Sequence, residues 1–119
     1  MNLAHQKCVP CEGGTKPMAT GEIEPYLEEV KDWKVVNQNG ADTISREFKF
    51  KDFKEALAFV NKIGEIAEEE GHHPDIKLGW GRVKVELSTH AIGGLSTNDF
   101  ILAAKINKLQ QEQERSEAK

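Results

Sequence analysis

Residues 82–89 read Arg-Val-Lys-Val-Glu-Leu-Ser-Thr, with Val83, Val85 and Leu87 separated by Lys84, Glu86 and Ser88. A period of two puts successive side chains on opposite faces of a strand, so this run requires a sheet with one dry and one wet face. The dry face has to be covered. Antiparallel sheets of this kind commonly carry helices on that side and water on the other.

Three further runs supply the rest of such a sheet. Residues 33–36 and 43–50 are strand-like and flank Asn37-Gln38-Asn39-Gly40, whose Asn-Gly step is a hairpin signal because both residues accept positive φ. In the second run Ile44, Phe48 and Phe50 share one face, and Arg46 breaks it, which marks a partly exposed or functional position. Residues 75–80 place Ile76, Leu78 and Trp80 on one side. Helical spacing occupies the gaps. Thr20 is a candidate N-cap for a short helix over 22–30, with Ile23, Leu27 and Val30 in step and Pro25 tolerated in its first turn. Asp52 and Glu55 resemble a capping box for a helix carrying Phe53, Ala56, Leu57, Val60, Ile63, Gly64 and Ala67 and ending at Gly71. Ser96 and Asp99 cap a last helix with Leu102, Ala103, Ile106 and Leu109. The pattern predicts an α+β fold in the order α-β-β-α-β-β-α, a four-stranded antiparallel sheet with helices on one face. One domain over 21–110 follows an irregular arm, 1–20, and precedes a frayed polar tail, 111–119.

The chain has 119 residues, enough for a modest core without disulfide or metal, and a formal charge of −4. No basic patch suggests a nucleic-acid partner, which would need cations for the phosphates. No apolar run approaches the roughly 20 residues of a membrane span, and the first residues show no apolar signal region, so a cytoplasmic location is the expectation. Cys8 and Cys11 form a single pair. Structural zinc takes four ligands, so they read as a reduced pair in a loop, with a third ligand from His5 or a site shared by two chains as the alternatives.

Of the four histidines, His72, His73 and His90 lie within residues 72–90. Imidazole titrates near neutrality and suits acid–base work. Pro74 holds His73 in extended geometry, so His72 and His73 point to opposite sides and take different jobs. His72 follows a helix C-terminus, where the dipole favours positive charge. His90 has the parity of the polar strand face and precedes the Gly93-Gly94 turn. Asp99 is an ordinary acidic cap, and a tryptophan placed like Trp80 is more often core than ligand platform.

The strings Glu-Glu-Glu-Gly-His-His-Pro-Asp and Val-Glu-Leu-Ser-Thr-His-Ala-Ile-Gly-Gly-Leu-Ser-Thr-Asn-Asp-Phe, with Trp80 between them, resemble the pterin-4a-carbinolamine dehydratases. The likeness runs from Cys8 to about Asn107, and the Cys-Val-Pro-Cys-Glu-Gly-Gly lead is similar to the bacterial branch. It implies an active site of His72, His73 and His90, with His73, Pro74, Trp80 and Asp99 binding or supporting a pterin. Ile76 departs from members that carry an aromatic there, so stacking from that position is not carried over. The implied reaction is loss of water from a 4a-hydroxytetrahydropterin to give quinonoid dihydropterin, with neither a cofactor nor a metal required. Family members assemble as homodimers or homotetramers. Two rivals stand beside this reading: a three-histidine zinc site, and a catalytically weak homologue that binds a pterin or a protein.

Overall fold

The structure is a computed structural model that describes residues 2–8, 16–38 and 40–117. Its helices and strands are Thr20–Glu28 (α1), Lys34–Gln38 (β1), Ala41–Lys49 (β2), Phe53–Glu70 (α2), Asp75–Gly79 (β3), Arg82–Leu87 (β4) and Thr97–Glu117 (α3). Single 3₁₀ turns lie at Leu3–His5 and His90–Ile92. The strands pair antiparallel throughout, in the spatial order β1-β2-β4-β3. The α+β architecture expected from the sequence is the one observed.

Alternation explains which face is dry. Val83, Val85 and Leu87 of β4 and Ile44 and Phe48 of β2 are buried in one cluster with Ala56, Phe59 and Ile63 of α2 and Phe100, Ala103 and Ile106 of α3. Each large apolar side chain so buried stabilises the fold by about 1.5–3 kcal/mol before the entropy of ordering it. Phe48 and Phe59 sit with ring centroids 4.8 Å apart and anchor the sheet to α2. On the opposite face Lys84 is exposed and Glu86 half-buried.

Helix boundaries differ from the sequence expectation where a side chain found a better partner. α1 starts two residues earlier, and its N-cap is Ala19 rather than Thr20, because the Glu22 carboxylate reaches back to accept the Ala19 N–H at 2.9 Å. α2 begins as expected, with the Asp52 carboxylate accepting the Glu55 N–H at 2.9 Å. Its buried stripe runs through Ala56, Phe59, Ile63 and Ala67, whereas Phe53 and Leu57 remain 44% and 40% exposed. α3 continues to Glu117, past the point where the sequence suggested fraying, and Gln113 donates to the Glu55 carbonyl of α2 at 3.3 Å.

The first residues are less irregular than their composition implies. Leu3 is buried in the core, the Ala4 carbonyl accepts from Lys105, and the Cys8 N–H donates to Glu70 Oε1 at 2.8 Å. Farther on, the Met18 N–H donates to the Leu95 carbonyl at 2.9 Å. Cys11 lies outside the described residues. Among those described, no helix is long and apolar enough to cross a membrane.

Candidate active site

α2 delivers the first histidine. Gly71 terminates the helix at φ +64°, a left-handed conformation that favours glycine, and the His72 N–H still donates to the Ala67 carbonyl at 3.2 Å. That turn aims His72 inward. Its side chain is 12% exposed and its Nε2 lies 2.6 Å from Oδ1 of Asp99, which is wholly buried. His73 goes the other way, as adjacent residues on extended chain should. It is 60% exposed and its Nε2 meets the carboxylate of Glu68, one helical turn back on α2.

Asp99 sits in the first turn of α3, and its second oxygen is fully engaged. Oδ2 accepts the Ser96 N–H and the Thr89 hydroxyl, each at 2.9 Å, and the Thr89 and Ser96 hydroxyls are 2.8 Å apart. The capping role expected from spacing is therefore real, and it uses only half the carboxylate. Thr89 and Ser96 are buried, and the loop between β4 and α3 is closed by a bridge of Thr89 to Gly94. Sequence reasoning passed over Thr89 as part of this network. Its signal was parity: it falls on the apolar side of the β4 alternation, where a hydroxyl needs a buried partner.

His90 follows directly and is exposed in the 3₁₀ turn. With Gln38, Thr43, Asp75, Glu86 and Ser88 it lines a polar hollow of about 200 Å³ on the wet side of the sheet. Asp75 comes from the chain just after Pro74, but His72 and His73 are not among the residues that line the hollow. A volume of that size is below the usual range for a whole ligand, roughly 300–1,000 Å³.

Trp80 is not brought there within this chain. It is 70% exposed in the turn between β3 and β4, at the opposite end of β4 from Thr89. A strand of that length spans roughly 20 Å. Arg46 also resolves differently from a ligand-facing position. Its guanidinium lies 4.3 Å above the Phe48 ring and donates to Asn107 Oδ1 at 2.6 Å, tying β2 to α3. Trp33 Nε1 donates to the same oxygen at 2.8 Å. Among the described residues, no group of three or more His, Cys, Asp or Glu side chains is arranged to hold a metal ion.

The chain is thus a one-sided α+β sheet protein in which two histidines just past α2 each meet a carboxylate. The family model described as Pterin 4 alpha carbinolamine dehydratase matches residues 16–109. A relative from Alkaliphilus metalliredigens, provisionally named pterin-4-alpha-carbinolamine dehydratase, is 53% identical over 93% of this chain and 98% of its own length. One from Rubrobacter xylanophilus with the same provisional name is 46% identical over 90% of this chain and 97% of its own. A crystal structure of a transcriptional coactivator/pterin dehydratase from Brucella melitensis superposes with a TM-score of 0.73, at 33% identity over 79% of this chain and 98% of that one. A pterin dehydratase-like RuBisCO assembly factor of the alpha-carboxysome shares the fold, with a TM-score of 0.57 and 21% identity over 68% of this chain and 92% of that one. The chain belongs to the pterin 4 alpha carbinolamine dehydratase family.

Proposed function

We propose that this protein is a hydro-lyase that removes water from a 4a-hydroxytetrahydropterin, using His72 and His90 as the acid–base pair. The observation that carries the reading is the 2.6 Å contact between His72 and the buried Asp99 carboxylate. A carboxylate behind an imidazole fixes its orientation and which ring nitrogen faces a ligand, the arrangement that makes histidine an effective proton carrier. In the reaction the C4a–O bond breaks, the departing hydroxyl takes a proton to leave as water, and N5 gives up its proton to yield quinonoid dihydropterin. One proton is given and one taken, so two imidazoles suffice. The helix-end position favours His72 as the acid, and His90 at the rim of the hollow takes the N5 proton. His73 and Pro74 bind the pterin, with Glu68 holding His73. The protein works in the cytoplasm, in tetrahydropterin recycling, and self-associates through the exposed Phe53–Leu57 stripe of α2.

The test is dehydration of the carbinolamine by wild type, His72→Ala and His90→Ala, measured against the spontaneous reaction across pH. We expect each variant to lose at least about tenfold in kcat and one limb of the pH profile, since positioned acid–base groups typically contribute on the order of 10²–10⁴-fold. Two variants with unchanged rates and limbs would remove these histidines from the chemistry. A wild type no faster than spontaneous dehydration would leave a pterin- or protein-binding homologue.

A further inference from the structure

The hydrogen bonds around Asp99 have a direction, and that direction reaches His72. A threonine hydroxyl carries one proton. Thr89 gives its proton to Asp99 Oδ2 at 2.9 Å. Its 2.8 Å contact with Ser96 Oγ therefore runs from Ser96 to Thr89. The Ser96 N–H holds the same carboxylate oxygen from the backbone at 2.9 Å. With Oδ2 occupied by two donors, Oδ1 is the oxygen presented to His72 Nε2 at 2.6 Å. A carboxylate only accepts, so Nε2 must carry the hydrogen, and a neutral imidazole then keeps its lone pair on Nδ1.

We propose that Thr89 is a positioning residue which, with Ser96, fixes Asp99 so that His72 is held as the Nε2–H tautomer and exchanges protons with its ligand through Nδ1. The proton order is Ser96 to Thr89 to Asp99, met by His72 from the other side. Thr89 is also the backbone neighbour of His90, so the strand end that orients one histidine carries the other. The kinetic part rests on the dehydratase reading; the tautomer does not.

The tautomer can be read directly, without substrate, by ¹⁵N NMR of histidine-labelled full-length protein above the imidazole titration range, with His72→Gln to assign the signals. Wild type is expected to show His72 protonated on Nε2 and bare on Nδ1. Thr89→Val, which removes the hydroxyl at nearly constant volume, is expected to give a mixture of tautomers, a kcat about tenfold lower and a KM within about twofold of wild type. Thr89→Ser is expected to restore both. Asp99→Asn provides an isosteric second variant should Thr89→Val fail to fold. Thr89 and Ser96 would keep its amide oxygen, turn its NH₂ toward His72 and invert the tautomer to Nδ1–H. Nδ1–H in wild type, an unaltered tautomer in Thr89→Val, or retained Nε2–H in Asp99→Asn would each overturn the proposal. Loss of the dehydratase reading alone would appear as wild type without turnover, with the tautomer results still decisive.

Discussion

At Asp99 a helix cap and a histidine partner share one carboxylate, so an apolar replacement there strands donors in the core as well as freeing His72. Cys8 is a residue of the opposite temperament. Burial first, then the neighbouring Glu70 charge, pushes its thiol from 9.0 up to about 12. Three units correspond to about a thousandfold less thiolate at neutral pH. We therefore expect iodoacetamide to modify Cys8 far more slowly in the folded protein than in urea at pH 8, followed site by site by mass spectrometry; equal rates would show the thiol to be open. The sign for stability is that of a raised pKa: the folded state holds the proton more tightly, and that contribution fades as pH climbs from about 9 toward 12. Some of this residue-scale detail was legible in the chain. The opposed directions of His72 and His73 follow from Pro74, and the cap at Asp99 follows from Ser96. The partners of Arg46 and Cys8 did not, because Asn107 and Glu70 come from distant parts of the chain and only the packed fold brings them close.

Among the elements, the N-terminal arm is the one whose role composition concealed. Glycines and prolines in residues 1–20 signal irregular chain, yet Leu3 is core and Met18 is bonded to the loop that follows the site strand. Gly94 shows how close that approach is: a Cβ built there would lie 2.7 Å from Cβ of Pro17. Gly94→Ala should therefore push the arm away and break the Met18–Leu95 hydrogen bond. Hydrogen exchange at Met18 is expected to rise by at least about tenfold, while the amides of β4 stay protected. Unchanged protection at Met18 would mean that the loop yields instead. The four strands and three helices were readable because each has its own period and punctuation. The turn of α2 about its own axis was not, since Phe53, Leu57 and Val60 form as regular a stripe as the one that is buried, and only packing chooses between them.

For the whole molecule that leftover stripe matters. Phe53 and Leu57 lie one turn apart on α2, both exposed. If copies of the chain associate there, Phe53→Glu with Leu57→Lys should lower the mass measured by sedimentation to that of a single chain, and an unchanged mass would place the interface elsewhere. The strand order β1-β2-β4-β3 has a different kind of consequence. β2 has its inner edge open until β4 arrives, and β4 lies behind more than two-thirds of the chain. α3, which completes the core and contributes Asp99, comes later still. During synthesis, the leading half emerges from the ribosome with an unpaired strand edge and an uncovered apolar face, and it has to wait. Sheet, core and the His72–Asp99 pair close together, as one late event, once α3 has been made.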